Sequence, residues 1–232
     1  MASKLVLFDI DGTILLTAGA GRRAIVAALG EQVGQSTAFD RVRFDGKTDP
    51  QIVAELLEVA GHPAPRSSDW VTTLCHRYVD LLALELNRAS NRTTLMPGVH
   101  ALLDRLETEP GVVLGLLTGN WAEGAKLKLR AAGLDPDRFR VGAYGSDAAD
   151  RPDLPPIAAA RAQSYFGRVP TGAEVVIIGD TPADIACARC IGARTVAVAT
   201  GAYSISDLEA CGAYAVFSDL SDTEQVLCAI LG

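Results

Sequence analysis

Nothing in the sequence approaches the roughly 20 consecutive apolar residues that a membrane-spanning helix needs. The start also lacks the basic region, apolar run and small-residue cleavage site of a secretion signal, because its first apolar run leads straight into acids. Membrane insertion is therefore not expected. Histidine is scarce: His62, His76 and His100 have no mutual ligand spacing, which argues against a histidine metal centre. No histidine base stands beside a serine or cysteine at a strand end either, so hydroxyl or thiol nucleophiles activated by histidine are disfavoured. The five cysteines are scattered and odd in number, as expected of a protein in a reducing cytoplasm. Positive charge is in deficit, with a net charge of −7, which argues against a nucleic-acid backbone as main partner. A small phosphorylated molecule held by a few local cations remains compatible with that charge. No lysine occurs after Lys128.

What is present is a packed protein of 232 residues, 49% hydrophobic and 21% charged, long enough for one large domain or a core with a modest insert. Its organising stretch is Lys4-Leu5-Val6-Leu7-Phe8-Asp9-Ile10-Asp11-Gly12-Thr13. The apolar run reads as a buried parallel strand. Its period of two sends Asp9 and Asp11 to one side if the strand continues. Two converging carboxylates repel unless a cation lies between them or one keeps its proton.

Helical spacing then dominates. A helix is predicted over about 19–29, while 39–44 is ambiguous. Thr48-Asp49-Pro50 starts a second helix that runs to Gly61. A third begins near Ser67-Ser68-Asp69 and carries the stripe Val71, Leu74, Cys75, Tyr78, Leu82 and Leu86. After a polar linker from Asn87 to Thr94, strands and helices alternate. Helices are expected over 98–108, 121–132, 155–166 and 182–191, and strands over 112–117, 139–144, 174–179 and 195–198, with a last β/α pair. The fold class is thus α/β, a doubly wound parallel sheet with an inserted helical subdomain: a core of 1–16 and 94–232 and an insert of 17–93.

Three apolar runs stop at polar residues: Asp9 and Asp11, then Thr118, then Asp180. In a parallel sheet all three stops face one edge, the edge where open α/β folds bind ligands. Oxygen-only ligands suit a hard cation, and Mg²⁺ in particular pairs with phosphate. A carboxylate can itself attack phosphorus.

Asp9-Ile10-Asp11-Gly12-Thr13, Leu117-Thr118-Gly119-Asn120 and Gly179-Asp180-Thr181-Pro182-Ala183-Asp184 resemble the first, second and fourth motifs of the haloacid dehalogenase-like superfamily. The order and strand context agree along the whole chain. The resemblance implies a Rossmann-like core with a helical cap, and a Mg²⁺-dependent phosphatase for a small phosphorylated metabolite. It makes Asp9 the nucleophile that forms an aspartyl-phosphate, and Asp11 the acid and then the base. It assigns Mg²⁺ to Asp9, the backbone carbonyl of Asp11 and Asp180. Gly12, Thr118, Gly119 and Asn120 would hold phosphate oxygens. Asn120 can alternatively cap a helix together with Glu123. Asp184 reads either as an outer partner of the metal ligands or as a first-turn acid with Thr181 as cap.

The third motif departs from the family pattern, which places Lys then Pro ahead of a helix. Here Arg151-Pro152 occupies that place, and Arg151 is the candidate phosphate cation, or else a surface partner of Asp150 or Asp153. Lys126 and Lys128 are expected to be solvated. Gly46-Lys47-Thr48-Asp49 resembles the cap loop of phosphoglycolate phosphatase-like members, so Lys47 and Thr48 would face the substrate, with Arg22 a second candidate; an exposed loop position is the alternative for Lys47.

Other readings share these residues. A sugar-phosphate mutase would use the same centre, a phosphonate hydrolase would use Lys47 as a Schiff base, and a regulatory relative would keep the fold without turnover. A haloacid dehalogenase needs no second acid, so Asp11 counts against it. Gly19-Ala20-Gly21-Arg22-Arg23-Ala24 mimics a dinucleotide fingerprint but arrives ten residues too late after its strand. Cys187-Ala188-Arg189-Cys190 lies within a predicted helix and reads as packing rather than redox or zinc chemistry.

Overall fold

The computed structural model describes residues 3–34, 37–88, 90 and 92–232. The chain runs through strands β1 (Lys4–Phe8) and β2 (Leu15–Leu16), then helices α1 (Ala20–Val33), α2 (Asp49–Val59) and α3 (Ser68–Leu86). It continues with β3 (Thr94–Leu95), α4 (Val99–Thr108), β4 (Val112–Thr118), α5 (Ala122–Ala131), β5 (Val141–Tyr144), α6 (Leu154–Arg161) and α7 (Gln163–Phe166). The last elements are β6 (Val175–Gly179), α8 (Pro182–Ala188), β7 (Arg194–Val198), α9 (Ile205–Ala210), β8 (Ala215–Phe217) and α10 (Thr223–Leu231).

Six strands form one parallel sheet in the order β5-β4-β1-β6-β7-β8. Strands alternating with helices can pair in parallel only by crossing over a sheet face, so helices cover both sides. The apolar run of β1 is split between those sides by its period of two. Val6 and Phe8 join the cluster with Leu102, Leu106, Leu129 and Ile230, while Leu5 and Leu7 pack with Leu154, Ala158 and Cys187 on the other face. Both faces are buried, which is why β1, β4 and β6 show no polar alternation.

β1 lies at the switch point, with β4 on one side and β6 on the other; Phe8 is level with Leu116 and with Ile178. Strands that go out one way and return the other leave a crevice at their carboxyl ends. β1, β4 and β6 all end there. Between β2 and β3, which pair antiparallel, the chain makes α1, α2 and α3. These helices bury their own cluster of Ile25, Leu29, Phe39, Leu56, Leu74 and Tyr78, separate from the sheet's clusters.

Several element bounds differ from expectation. Helix α1 continues past Leu29 to Val33 and stops only where Gly34 takes a φ of 81°. The ambiguous 39–44 stretch overlaps a 3₁₀ turn over Thr37–Arg41 that buries Phe39. The helix expected over 155–166 divides at Ala162, whose N–H is shared between the carbonyls of Ala158 and Ala159. No helix among the described residues is long and apolar enough to cross a membrane.

Candidate active site

Asp9 continues directly from β1, its N–H donating to the Ile178 carbonyl at 2.9 Å, and so emerges between the ends of β4 and β6. Asp180 follows β6, and Asp184 sits in the first turn of α8. Each of the three offers a carboxylate oxygen within 4.8 Å of the others, and all three are buried. Burial, with the Asp9 and Asp184 charges added, pushes Asp180 up to about 8. Burial raises Asp9 to about 6, against the pull of Arg151 and with the push of Asp184 and Asp11. Carboxylates crowded this way, with oxygen donors only, fit a hard divalent cation.

The fit is tight around Asp180. A Cβ on Gly12 would stand 2.3 Å from its Oδ2, and one on Gly201 only 1.8 Å. Gly12 also has a φ of 89°, so glycine is needed there twice over. Thr13 donates its hydroxyl to Asp180 Oδ1 at 3.0 Å. Thr200, beyond β7, hydrogen-bonds the Gly12 carbonyl. Sequence reasoning missed Thr200 and Gly201, since no motif marks the loop after β7.

Arg151 is buried beside this cluster, within 3.1 Å of Asp9 Oδ1 and bonded to Asp184 Oδ1. It does not pair with Asp150 or Asp153. Burial works against its charge, but Asp184 and Asp9 more than offset that and raise its pKa. Its Nε is buried without a hydrogen-bond partner among the described residues. Asp184 takes the first-turn capping role, and its second oxygen meets Arg151. Oδ2 accepts from the Thr181 N–H at 3.1 Å and hydroxyl at 2.7 Å, closing the capping box of α8, while Oδ1 takes Arg151.

Thr118, Gly119 and Asn120 form the turn from β4 to α5. Asn120 does not cap that helix. Its amide instead donates to Thr118 Oγ1 and to Asp11 Oδ2, each at 2.7 Å. The expectation that Lys128 is solvated is wrong: it is 4% exposed, and its ammonium donates to both carboxylate oxygens of Asp11 and to Asn120 Oδ1. A helical side chain leans back toward the helix N-terminus. Lys128, in the last turn of α5, thereby reaches the strand ends. Helical position alone predicts surface, and the inward face of α5 decides otherwise; Lys126 keeps no such contact in the site.

The 46–49 loop sits directly on this turn. The Asp49 N–H donates to the Gly119 carbonyl at 2.7 Å, Asp49 Oδ2 accepts the Trp121 N–H at 2.7 Å, and Thr48 Oγ1 bonds the Ala149 carbonyl. Asp49 therefore caps α5 from outside its own segment. Burial pushes it up to about 6, opposed by Lys128. Lys47 lines the cavity but is ion-paired to Glu55. Arg22 also lines it, while its guanidinium donates to the Val42 and Phe39 carbonyls and lies over the Phe44 ring.

The cavity between sheet edge and helices measures about 540 Å³. Its walls include Asp9, Asp11, Thr118, Arg151 and Asp180 from the sheet side and Arg22, Lys47 and Tyr78 from the helical insert. Gly19 stands at the start of α1. Of the two cysteines expected within one helix, Cys187 is buried in α8, with burial pushing its thiol up to about 12, but Cys190 is exposed in a 3₁₀ turn over Arg189–Ile191, because α8 ends at Ala188.

Residues 6–198 match the haloacid dehalogenase-like hydrolase family, and the chain belongs to it: it is an enzyme of the hydrolase class built on this fold. Within that class it is 29% identical over 224 residues to the phosphoglycolate phosphatase of Rhodospirillum rubrum, covering 94% of this chain and 88% of that protein. Among solved structures, a hydrolase from Pseudomonas syringae has the same fold, with a TM-score of 0.72, 23% identity and coverage of 97% and 98%. The β-phosphoglucomutase of Clostridium difficile shares it too, with a TM-score of 0.72, 17% identity and coverage of 100% and 98%.

Proposed function

We propose that this hydrolase is a Mg²⁺-dependent phosphatase for a small phosphorylated metabolite, acting through an aspartyl-phosphate on Asp9. The observation that carries the reading is the convergence of Asp9, Asp180 and buried Arg151 on one wall of a cavity, with Asp184 held against Arg151 behind them. Asp9 and Asp180, with the backbone carbonyl of Asp11, would hold Mg²⁺, while Arg151 and Thr181 orient Asp184 behind them. When bound, the ion supplies neutralisation of the phosphoryl charge.

A carboxylate oxygen of Asp9 attacks phosphorus, and the bond to the leaving oxygen breaks while Asp11 hands that oxygen a proton. Asp11 then takes a proton from water, whose oxygen attacks the same phosphorus. The bond to Asp9 breaks, releasing inorganic phosphate. Thr118, the turn at Gly12 and Gly119, and the unpartnered Nε of Arg151 are suited to hold phosphoryl oxygens. The helical insert acts as the lid: its loop over Gly119 keeps water from the reacting centre.

A cavity of about 540 Å³ suits a metabolite rather than a polymer. The Lys47 amine is engaged by the Glu55 carboxylate rather than free toward the cavity, which speaks against a Schiff-base phosphonate hydrolase. The test is phosphate release from a panel of phosphomonoesters led by phosphoglycolate, with Mg²⁺ and with chelator. Release that needs the metal and falls more than about a thousandfold in Asp9→Asn is expected. Undiminished turnover by Asp9→Asn would overturn the covalent mechanism.

A further inference from the structure

The Lys128–Asp11 contact is lopsided. The lysine side chain is 5% exposed and the aspartate side chain 41%, so a buried cation reaches out to a carboxylate that stands in the cavity. The three ammonium hydrogens have three acceptors: Asp11 Oδ1 at 2.8 Å, Asp11 Oδ2 at 2.6 Å and Asn120 Oδ1 at 2.6 Å. Asn120 in turn donates to Asp11 Oδ2 and to Thr118 Oγ1. Both oxygens of Asp11 are thus gripped from the α5 side, and among the described residues these two supply its side-chain hydrogen bonds. Without them no other side-chain hydrogen bond among the described residues fixes its carboxyl. Acid–base catalysis needs the carboxyl within hydrogen-bond reach of the leaving oxygen and then of water.

We propose that Lys128 is a positioning residue for Asp11: with Asn120 it fixes the carboxyl in the cavity wall, in the orientation from which proton transfer occurs. The proposal rests on the phosphatase reading above, and Lys128 itself touches no reacting atom. A structural ion pair and a substrate-binding lysine are the competing roles, and kinetics separate them.

The experiment compares Lys128→Met, Asp11→Asn and the double variant on two substrates. An alkyl phosphate needs its leaving oxygen protonated, whereas p-nitrophenyl phosphate does not, and its first step is read from the burst of p-nitrophenol. Lys128→Met should lower kcat on the alkyl phosphate about a hundredfold, with KM within about threefold, and lower the burst rate less than tenfold. The double variant should be no slower than Asp11→Asn alone, because both remove the same function. Lys128→Gln, which keeps a donor, is measured in parallel, and the same ratios decide the matter if Lys128→Met folds poorly. A burst rate that falls as far as the alkyl-phosphate kcat, a raised KM at unchanged kcat, or losses that multiply in the double variant would overturn the role of Lys128 alone. Absent phosphate release by the wild type, or normal release by Asp9→Asn, would instead remove the phosphatase reading and this proposal with it.

Discussion

Arg151 shows how much one side chain carries here. It lies among Asp9, Asp180 and Asp184, and it contacts two of them. Its removal strands buried carboxylates, which typically costs about 3–5 kcal/mol. Arg151→Ala should therefore unfold at distinctly lower denaturant, and lose activity even where it remains folded. Arg151→Lys should recover most of the stability but less of the activity, since an ammonium cannot contact Asp9 and Asp184 in the same planar fashion. Denaturant melts and kcat at saturating Mg²⁺ check both; wild-type stability in Arg151→Ala would contradict this account. Arg151 was legible in the sequence because it precedes a proline ahead of a helix. Lys128 was not, because nothing in Lys126-Leu127-Lys128 says which lysine faces inward.

Among the elements, the 46–49 loop packs directly on the β4–α5 turn, where the lid proposed above would seat. The backbones meet so closely that a Cβ on Gly119 would stand 2.1 Å from the Lys47 carbonyl oxygen. Gly119→Ala should leave the melting temperature within a few degrees, because the sheet is untouched. It should lower kcat/KM about a hundredfold, as the lid no longer seats. A Gly119→Ala enzyme with normal kcat/KM would show that this contact is not needed for turnover. Asp49→Ala removes the cap that α5 borrows from this loop and should lower stability by about 1 kcal/mol, read from denaturant midpoints. The helix start at Thr48-Asp49-Pro50 was visible in sequence: Thr48 Oγ1 does accept from the Gln51 N–H at 3.2 Å. That Asp49 would cap a different helix was not.

For the molecule as a whole, the acid cluster couples folding to pH and to metal. Asp9 and Asp180 have raised pKa values, so the native state holds protons that the unfolded chain has released. The metal-free protein should therefore be most stable below about pH 4 as far as these groups decide, and should lose that stability as pH rises through about 6 and then about 8. Between pH 5 and 8.5 in chelator the melting temperature should drop by roughly 5–10 °C, and saturating Mg²⁺ should abolish the drop. A metal-free melting temperature that does not change over this range would contradict the cluster's electrostatics. Composition and apolar periodicity were enough for the parallel sheet, the run of helices between β2 and β3 and the three strands that end in polar residues, because hydrophobic burial acts locally along each segment. Only the packed chain decided which groups share the cavity. It turned Lys128 inward, set Asp49 on α5 and enclosed Asp180 with Gly201, and each of these is a contact between residues far apart in sequence.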